Sequence, residues 1–147
     1  MEIKRVVLDD LKEIMKMEYQ IFKQDSFSKQ TMTKLILRNS LFLKLLSKNS
    51  SNIIGYIIAI RDGRDRVNII NFLIKKTYQN KGYGSYLFQA ALELIKAYQE
   101  IKKIILTVNK KNWIAIRLYQ KFNFQIVQEI ENYYSNRESA YLMEITL

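Results

Sequence analysis

Cysteine, histidine and proline are absent from this 147-residue chain, and glycine occurs only four times. Without cysteine there can be no disulfide scaffold, no thiolate metal site and no cysteine acyl-enzyme. Without histidine the commonest general base and the commonest metal ligand are both missing. Catalytic triads built on histidine are excluded, zinc hydrolysis is disfavoured, and no metal is expected. Acid–base chemistry must come from Glu, Asp, Tyr, Lys, the backbone or water. Long apolar runs are also lacking: none approaches the roughly 20 residues of a membrane span. The opening Met1-Glu2-Ile3-Lys4-Arg5 has no apolar signal-peptide core. The expectation is a soluble cytoplasmic protein with no membrane partner.

What is present suits one globular domain over residues 1–147. Hydrophobic residues make up 48% and charged residues 26% of the chain, with both signs mixed through it. Lys and Arg outnumber Asp and Glu by 24 to 14, a formal charge of +10. Such a balance favours a polyanionic partner such as nucleic acid, a ribosomal surface, an anionic membrane or a phosphate-rich cofactor. A solvated lysine-rich surface explains it equally well, so charge alone decides nothing.

No repeat, linker or low-complexity tract interrupts the chain. Val6 to Leu8 reads as the close of a first strand, with Asp9 or Asp10 capping the helix that follows. Leu11, Ile14, Met15 and Phe22 recur there at helical spacing. A second helix is expected from Ser26 or Ser28, carrying Met32, Leu35 and Ile36. Strand-like runs cover 41–48 and 53–60, and Asp62-Gly63 reads as a hairpin turn into a strand from Val67 to Lys75. Beyond a glycine loop, Leu87, Ala91, Leu94, Ile95 and Tyr98 predict one apolar helical stripe. Ile104 to Val108 is a strand, 113–122 a short helix, and 124–131 and 140–146 two closing strands. The order β-α-α-β-β-β-α-β-α-β-β implies an α/β or α+β sheet with helices packed on its faces.

The segment Gln79-Asn80-Lys81-Gly82-Tyr83-Gly84-Ser85 lies between a strand and a helix. Its glycines let the backbone approach a ligand closely, and the unpaired amides of the helix start, aided by the helix dipole, suit a phosphate. Lys81 adds positive charge. The dinucleotide fingerprint requires a third glycine where Leu87 stands, and the triphosphate-binding loop requires a Gly-Lys-Ser/Thr that is absent.

Gln79-Asn80-Lys81-Gly82-Tyr83-Gly84 fits the Q/R-x-x-G-x-G/A loop of the GNAT N-acetyltransferase superfamily, which the chain resembles over essentially its whole length. A second block, Asn112-Trp113-Ile114-Ala115-Ile116-Arg117-Leu118-Tyr119-Gln120-Lys121-Phe122-Asn123-Phe124, is similar to that family's N-x-x-A-I-x-L-Y-x-K-x-G-F. The resemblance implies a mixed, mostly antiparallel central sheet of about seven strands with helices on both faces. It implies acetyl-CoA as cofactor, its pyrophosphate held by Asn80 through Ser85. Phe72, Leu73 and Ile74 would offer backbone groups from a strand that splays from its neighbour. Asn112 would contact the cofactor arm, and Tyr119 would protonate the departing thiolate. That role is chemically apt, because aminolysis of a thioester expels a sulfur anion and a positioned hydroxyl can supply its proton. Asn123 replaces the family's usual glycine at a site that calls for a left-handed backbone, which Asn tolerates.

The run Asn132-Tyr133-Tyr134-Ser135-Asn136-Arg137-Glu138-Ser139-Ala140-Tyr141-Leu142-Met143 resembles the ending of the N-terminal-amine acetyltransferases, including the branch acting on a ribosomal protein's N-terminal alanine. Glu18, Phe22 and Asp25-Ser26-Phe27-Ser28 resemble the same branch, with Phe27 replacing its usual Trp. The resemblance makes Glu18, Phe27, Tyr133 and Tyr134 the substrate-side residues; a plain hydrophobic strand pair is the other reading of the two tyrosines. Thr107 stands where those enzymes carry a glutamate base, and threonine cannot deprotonate an ammonium. Glu18 is the replacement candidate: it lies i+7 from Leu11, i+4 from Ile14 and i+3 from Met15, on the apolar face of its helix. A carboxylate so placed suits holding or deprotonating an amine, unless it only reaches solvent or pairs with a lysine. The expected reaction is direct acetyl transfer to a primary amine, a protein or peptide N-terminus. A polyamine or similar small amine is the alternative acceptor, and a non-catalytic acyl-CoA sensor or ribosome-associated module the alternative role. A ribosomal protein is a possible partner, nucleic acid is not an expected substrate, and a monomer or homodimer is expected.

Overall fold

β-branched and aromatic residues crowd the extended runs, and their two-residue alternation sends side chains to both faces of one sheet. A computed structural model describes residues 1–38, 40–49 and 51–147. Its strands are β1 (Glu2–Arg5), β2 (Leu41–Leu46), β3 (Ile53–Arg61), β4 (Arg66–Ile74), β5 (Lys103–Asn109), β6 (Gln125–Ile130) and β7 (Ala140–Thr146). Its helices are α1 (Leu11–Phe22), α2 (Lys29–Leu37), α3 (Tyr83–Lys96) and α4 (Trp113–Lys121). The seven strands run in the order β1-β2-β3-β4-β5-β7-β6. Every neighbouring pair is antiparallel except β4 and β5. The expected element order and sheet class both hold.

Two cores sandwich the sheet. Phe42, Tyr56, Ile58 and Leu73 pack with Ile14, Met17 and Met32 of α1 and α2. Leu43, Leu45, Ile57 and Ile69 pack with Leu87, Phe88, Ala91, Leu92 and Ile95 of α3 and with Ile116 and Tyr119 of α4. The stripe expected on α3 is thus rotated. Leu94 and Tyr98 are exposed, and Phe88 and Leu92 take the inward positions, because the helix meets the sheet along its 87/88/91/92/95 face.

Other boundaries shift for local reasons. Leu8 belongs to a 3-10 turn, Leu8–Asp10, rather than to β1. Asp10 takes the N-cap position of α1 but makes no side-chain cap bond to that helix; its Oδ2 instead accepts from Val7 N at 2.8 Å, closing the 3-10 turn, and pairs with Lys44 at 2.7 Å. Ser28, not Ser26, caps α2 by accepting from Thr31 N at 3.1 Å. Asp62-Gly63 forms part of a four-residue connection between β3 and β4 rather than a two-residue turn.

One irregularity shapes the middle of the sheet. Ile58 pairs with Asn71 but Ala59 pairs with Ile69, so Ile70 is an extra residue in β4. The bulge breaks the alternation and turns Asn71 toward α1, while Phe72 faces α3 and α4.

Candidate active site

The parallel ladder between β4 and β5 covers only Arg66–Ile69 against Lys103–Leu106. Past that point the strands diverge, so β4 from Ile70 to Ile74 has no ladder with β5. A cleft of about 1110 Å³ opens there, lined among others by Glu18, Phe27, Asn71, Phe72, Thr107, Asn112, Tyr119, Tyr133 and Tyr134. Seven of the residues expected to serve the site therefore share one cavity. The side chains of Leu73 and Ile74 do not line it; they are buried in the two opposing cores, which leaves their backbone as the part a ligand can use.

The glycine loop lies beyond the C-terminal end of β4, outside the lining of the cleft. Gln79 Nε2 donates to Ile74 O at 2.8 Å, tying the loop to the strand. Asn80 and Gly82 take left-handed backbone angles, φ 63° and 85°. No side chain caps α3, so the first-turn amides beyond Gly82 keep the orphan donors that every helix start has. Lys81 is exposed beside them. At Gly84 a built Cβ meets only ordinary contacts within the chain, 3.6 Å to Phe72 and 3.7 Å to Ile74.

Tyr119 is 7% exposed and sits among Phe72, Phe88 and Phe124 with ring centroids 6.3, 5.2 and 6.3 Å away. Burial first, and the neighbouring Tyr134 second, push its hydroxyl far above the ordinary tyrosine range. It is therefore a neutral O–H, a donor rather than a base. Asn112 has a structural task that its family role did not foretell: it caps α4, its Oδ1 accepting from Ala115 N at 3.2 Å. Its Nδ2 is the group left for a ligand. Asn123 adopts φ 72°, the left-handed conformation expected of it.

Glu18 is 1% exposed. Its Oε1 accepts from the Tyr56 hydroxyl and from Asn71 Nδ2, and its Oε2 accepts from Phe27 N at 2.8 Å. Among the described residues no lysine or arginine pairs with it. Glu18 is thus a buried carboxyl group held by three donors, with no cationic side chain beside it among the described residues. Thr107 is half-buried in the opposite wall.

Tyr133 and Tyr134 lie in the connection between β6 and β7 rather than in a strand pair, with rings edge to face at 4.9 Å. The Tyr134 hydroxyl is pushed up to about 12, by burial first and then by Tyr133, Asp25 and Glu138. The same connection is pinned across the cleft: Ser135 donates from N and Oγ to Asp25 at 3.1 and 2.9 Å.

Three contributors escaped the sequence reading. Tyr56 and Asn71 hold Glu18, and Ser135 closes the cleft with Asp25. Asn71 left a trace, a polar residue inside the otherwise apolar run Ile69-Ile70-Asn71-Phe72-Leu73-Ile74. Tyr56 left none, since a tyrosine in a buried strand reads as core.

Residues 8–124 match the acetyltransferase (GNAT) family. An N-alpha-acetyltransferase of Saccharolobus solfataricus is 33% identical over 76 residues, 52% of this chain and 46% of that protein. A spermine/spermidine N(1)-acetyltransferase of Bacillus subtilis is 36% identical over 66 residues, 45% of this chain and 43% of that protein. The matched stretch spans about half the length of these relatives. In fold, the crystal structure of Ard1 from Thermoplasma volcanium superposes with a TM-score of 0.87 at 24% identity, covering 99% of this chain and 97% of that one.

Proposed function

From the premise that the chain belongs to the acetyltransferase (GNAT) family, we propose that it transfers the acetyl group of acetyl-CoA directly to the N-terminal amine of a protein or peptide. Acetyl-CoA would supply an acyl group already activated as a thioester. The observation that carries this reading is the stretch of β4 from Ile70 to Ile74 that has no ladder on its β5 side. It opens beside Tyr119 and leads, through the connection at 75–82, to the uncapped start of α3.

Each residue has a task that its surroundings suit. The amides of Asn80 to Ser85, left donor-rich by Gly82, hold the diphosphate. Lys81 adds charge, and Gln79 keeps the loop against β4. Backbone groups of Phe72, Leu73 and Ile74 pair with the pantetheine arm as an added strand would, and Asn112 donates to it. Tyr119, kept neutral by burial, gives its proton to the sulfur as the carbon–sulfur bond breaks. Glu18 draws in the acceptor's ammonium and takes one proton from it, so that the free amine attacks the thioester carbon while the thiolate leaves with the Tyr119 proton. Phe27, Tyr133 and Tyr134 flank the incoming chain.

The run at 132–143 that resembles enzymes of a ribosomal protein makes such a protein a candidate acceptor in the cytoplasm. The polyamine relative supports a small-amine acceptor as the second reading. A silent acyl-CoA sensor fits less well, because Tyr119 and Asn112 both line the cleft. Thiol release from acetyl-CoA with peptides and polyamines, followed by mass measurement of the acceptor, tests the proposal. An acceptor gaining one acetyl group supports it. Cofactor binding without thiol release for any amine points to the sensor.

A further inference from the structure

On the α1 and α2 side the lining of the cleft includes, besides Glu18, four apolar residues: Phe27, Leu35 of α2, Ile60 at the end of β3 and Ile70 at the β4 bulge, which together are called the lobe. Phe27, Leu35 and Ile70 are only partly buried at the edge of that face's core, and Ile60 is likewise half-buried. Four sizeable apolar side chains thus line one pocket with their surfaces incompletely covered, which favours an apolar occupant.

That occupant is not the cofactor. The phosphate-binding loop begins past the C-terminal end of β4, whereas the lobe adjoins its N-terminal half. Asn68, which also lines the lobe, is six residues from Ile74, roughly 20 Å along a strand. Tyr119 and Phe72 lie on the cleft between the two ends. The lobe does adjoin Glu18: Asn71 follows Ile70 and donates to that carboxylate, as does the amide of Phe27. A carboxylate lacking a counter-cation beside an apolar pocket matches a chain terminus, where an ammonium and a side chain leave the same α-carbon. A polyamine offers the charge but nothing of comparable bulk for the pocket. An alanine methyl would reach fewer of these four side chains than a leucine or methionine would.

Building on the proposed reaction, we infer that this lobe receives the side chain of the acceptor's first residue, and that this residue is large and apolar. Phe27, Leu35, Ile60 and Ile70 are then specificity-determining residues, with Ile70 delivered by the bulge. Without that extra residue, the regular alternation of β4 would not present both Ile70 and Asn71 on this face.

The test uses the intact wild-type protein, acetyl-CoA, spermidine and peptides identical except for a first residue of leucine, methionine, alanine or serine. The expected result is a kcat/KM for leucine or methionine at least about tenfold above alanine, as differences of several buried methylenes produce, carried mainly by KM. Equal rates, or a preference for alanine, serine or spermidine, would overturn the inference while leaving acetyl transfer in place. No transfer to any amine would remove the proposed function and this inference together. Ile60→Trp, which fills the lobe, and Leu35→Gln, which makes it polar, should each shrink the leucine-to-alanine ratio. A ratio unchanged in both folded variants also overturns it.

Discussion

Tyr119 and Glu18 occupy similar depths in different surroundings. Tyr119 is enclosed by aromatic rings that disfavour its anion, so it keeps its proton, as the acid of the proposed reaction must. Tyr119→Phe removes only the hydroxyl and should lower kcat by about 10²-fold or more, the usual worth of a positioned acid. Affinity for CoA, read by calorimetry, should stay near the wild-type value. Glu18 is enclosed by donors instead, and Glu18→Gln removes the charge while setting an amide N–H₂ against one of them. The expected outcome is a raised KM for the amine with CoA binding retained. A loss of about 1–3 kcal/mol in denaturant stability should accompany it, from the donor left unsatisfied. The tyrosines also predict an alkaline limit to stability. Tyr56, Tyr119 and Tyr134 all have raised values in the fold, so the folded state holds these protons more tightly than the unfolded chain, where tyrosine ionises near about 10. Their contribution is complete below about pH 10 and falls as the pH rises beyond it. Denaturation midpoints followed by circular dichroism across that range should decline accordingly.

At the scale of elements, the proposed diphosphate site falls where β4 gives way to α3. The two glycines at this junction, Gly82 before α3 and Gly84 in its first turn, are unequal. Gly82 sits at φ 85° with nothing within 4 Å of a built Cβ, so its requirement is conformational and not spatial. Gly82→Ala should cost about 1–2 kcal/mol for the left-handed backbone, and it should weaken CoA binding by disturbing the amides that follow. Gly84 has an ordinary conformation and ordinary contacts, so Gly84→Ala should bind CoA nearly as well as the wild type. Calorimetry on the two variants separates these outcomes. The loop was legible in the sequence because it is local, a glutamine and two glycines at set spacing. The bulge at Ile70 was not legible, because it exists only as a mismatch between the registers of β3 and β4. The positions of Leu94 and Tyr98 were misjudged for a related reason. Periodicity finds an apolar stripe on α3, but the surface it meets decides which edge of the stripe is covered.

For the whole molecule, the substrate end of the cleft is assembled from segments far apart in the chain. Asp25 follows α1 and Ser135 precedes β7, and their paired hydrogen bonds join the two loops across the opening. Asp25→Ala should loosen this closure. Hydrogen exchange across 133–137 should quicken and KM for a peptide acceptor should rise, with CoA affinity unaffected. The net charge of +10 gave no such guidance. Among the described residues no lysine or arginine is buried, and the buried ionisable side chain with a carboxyl group in the cleft is Glu18. No helix among the described residues is long and apolar enough to cross a membrane.

Local pattern was enough to establish the order of helices and strands, the glycine loop at 79–85 between strand and helix, the tyrosine of the Asn112–Phe124 block and Glu18 on the inner face of α1, since each depends on neighbours a few residues away. Tertiary structure alone decided that β4 and β5 part after Ile69, that Tyr56 and Asn71 clasp Glu18, that Asp25 meets Ser135, and that Phe27, Leu35, Ile60 and Ile70 share a pocket. These depend on strand register and on contacts between distant segments. A one-residue bulge changes them without altering the apolar composition from which the elements are read.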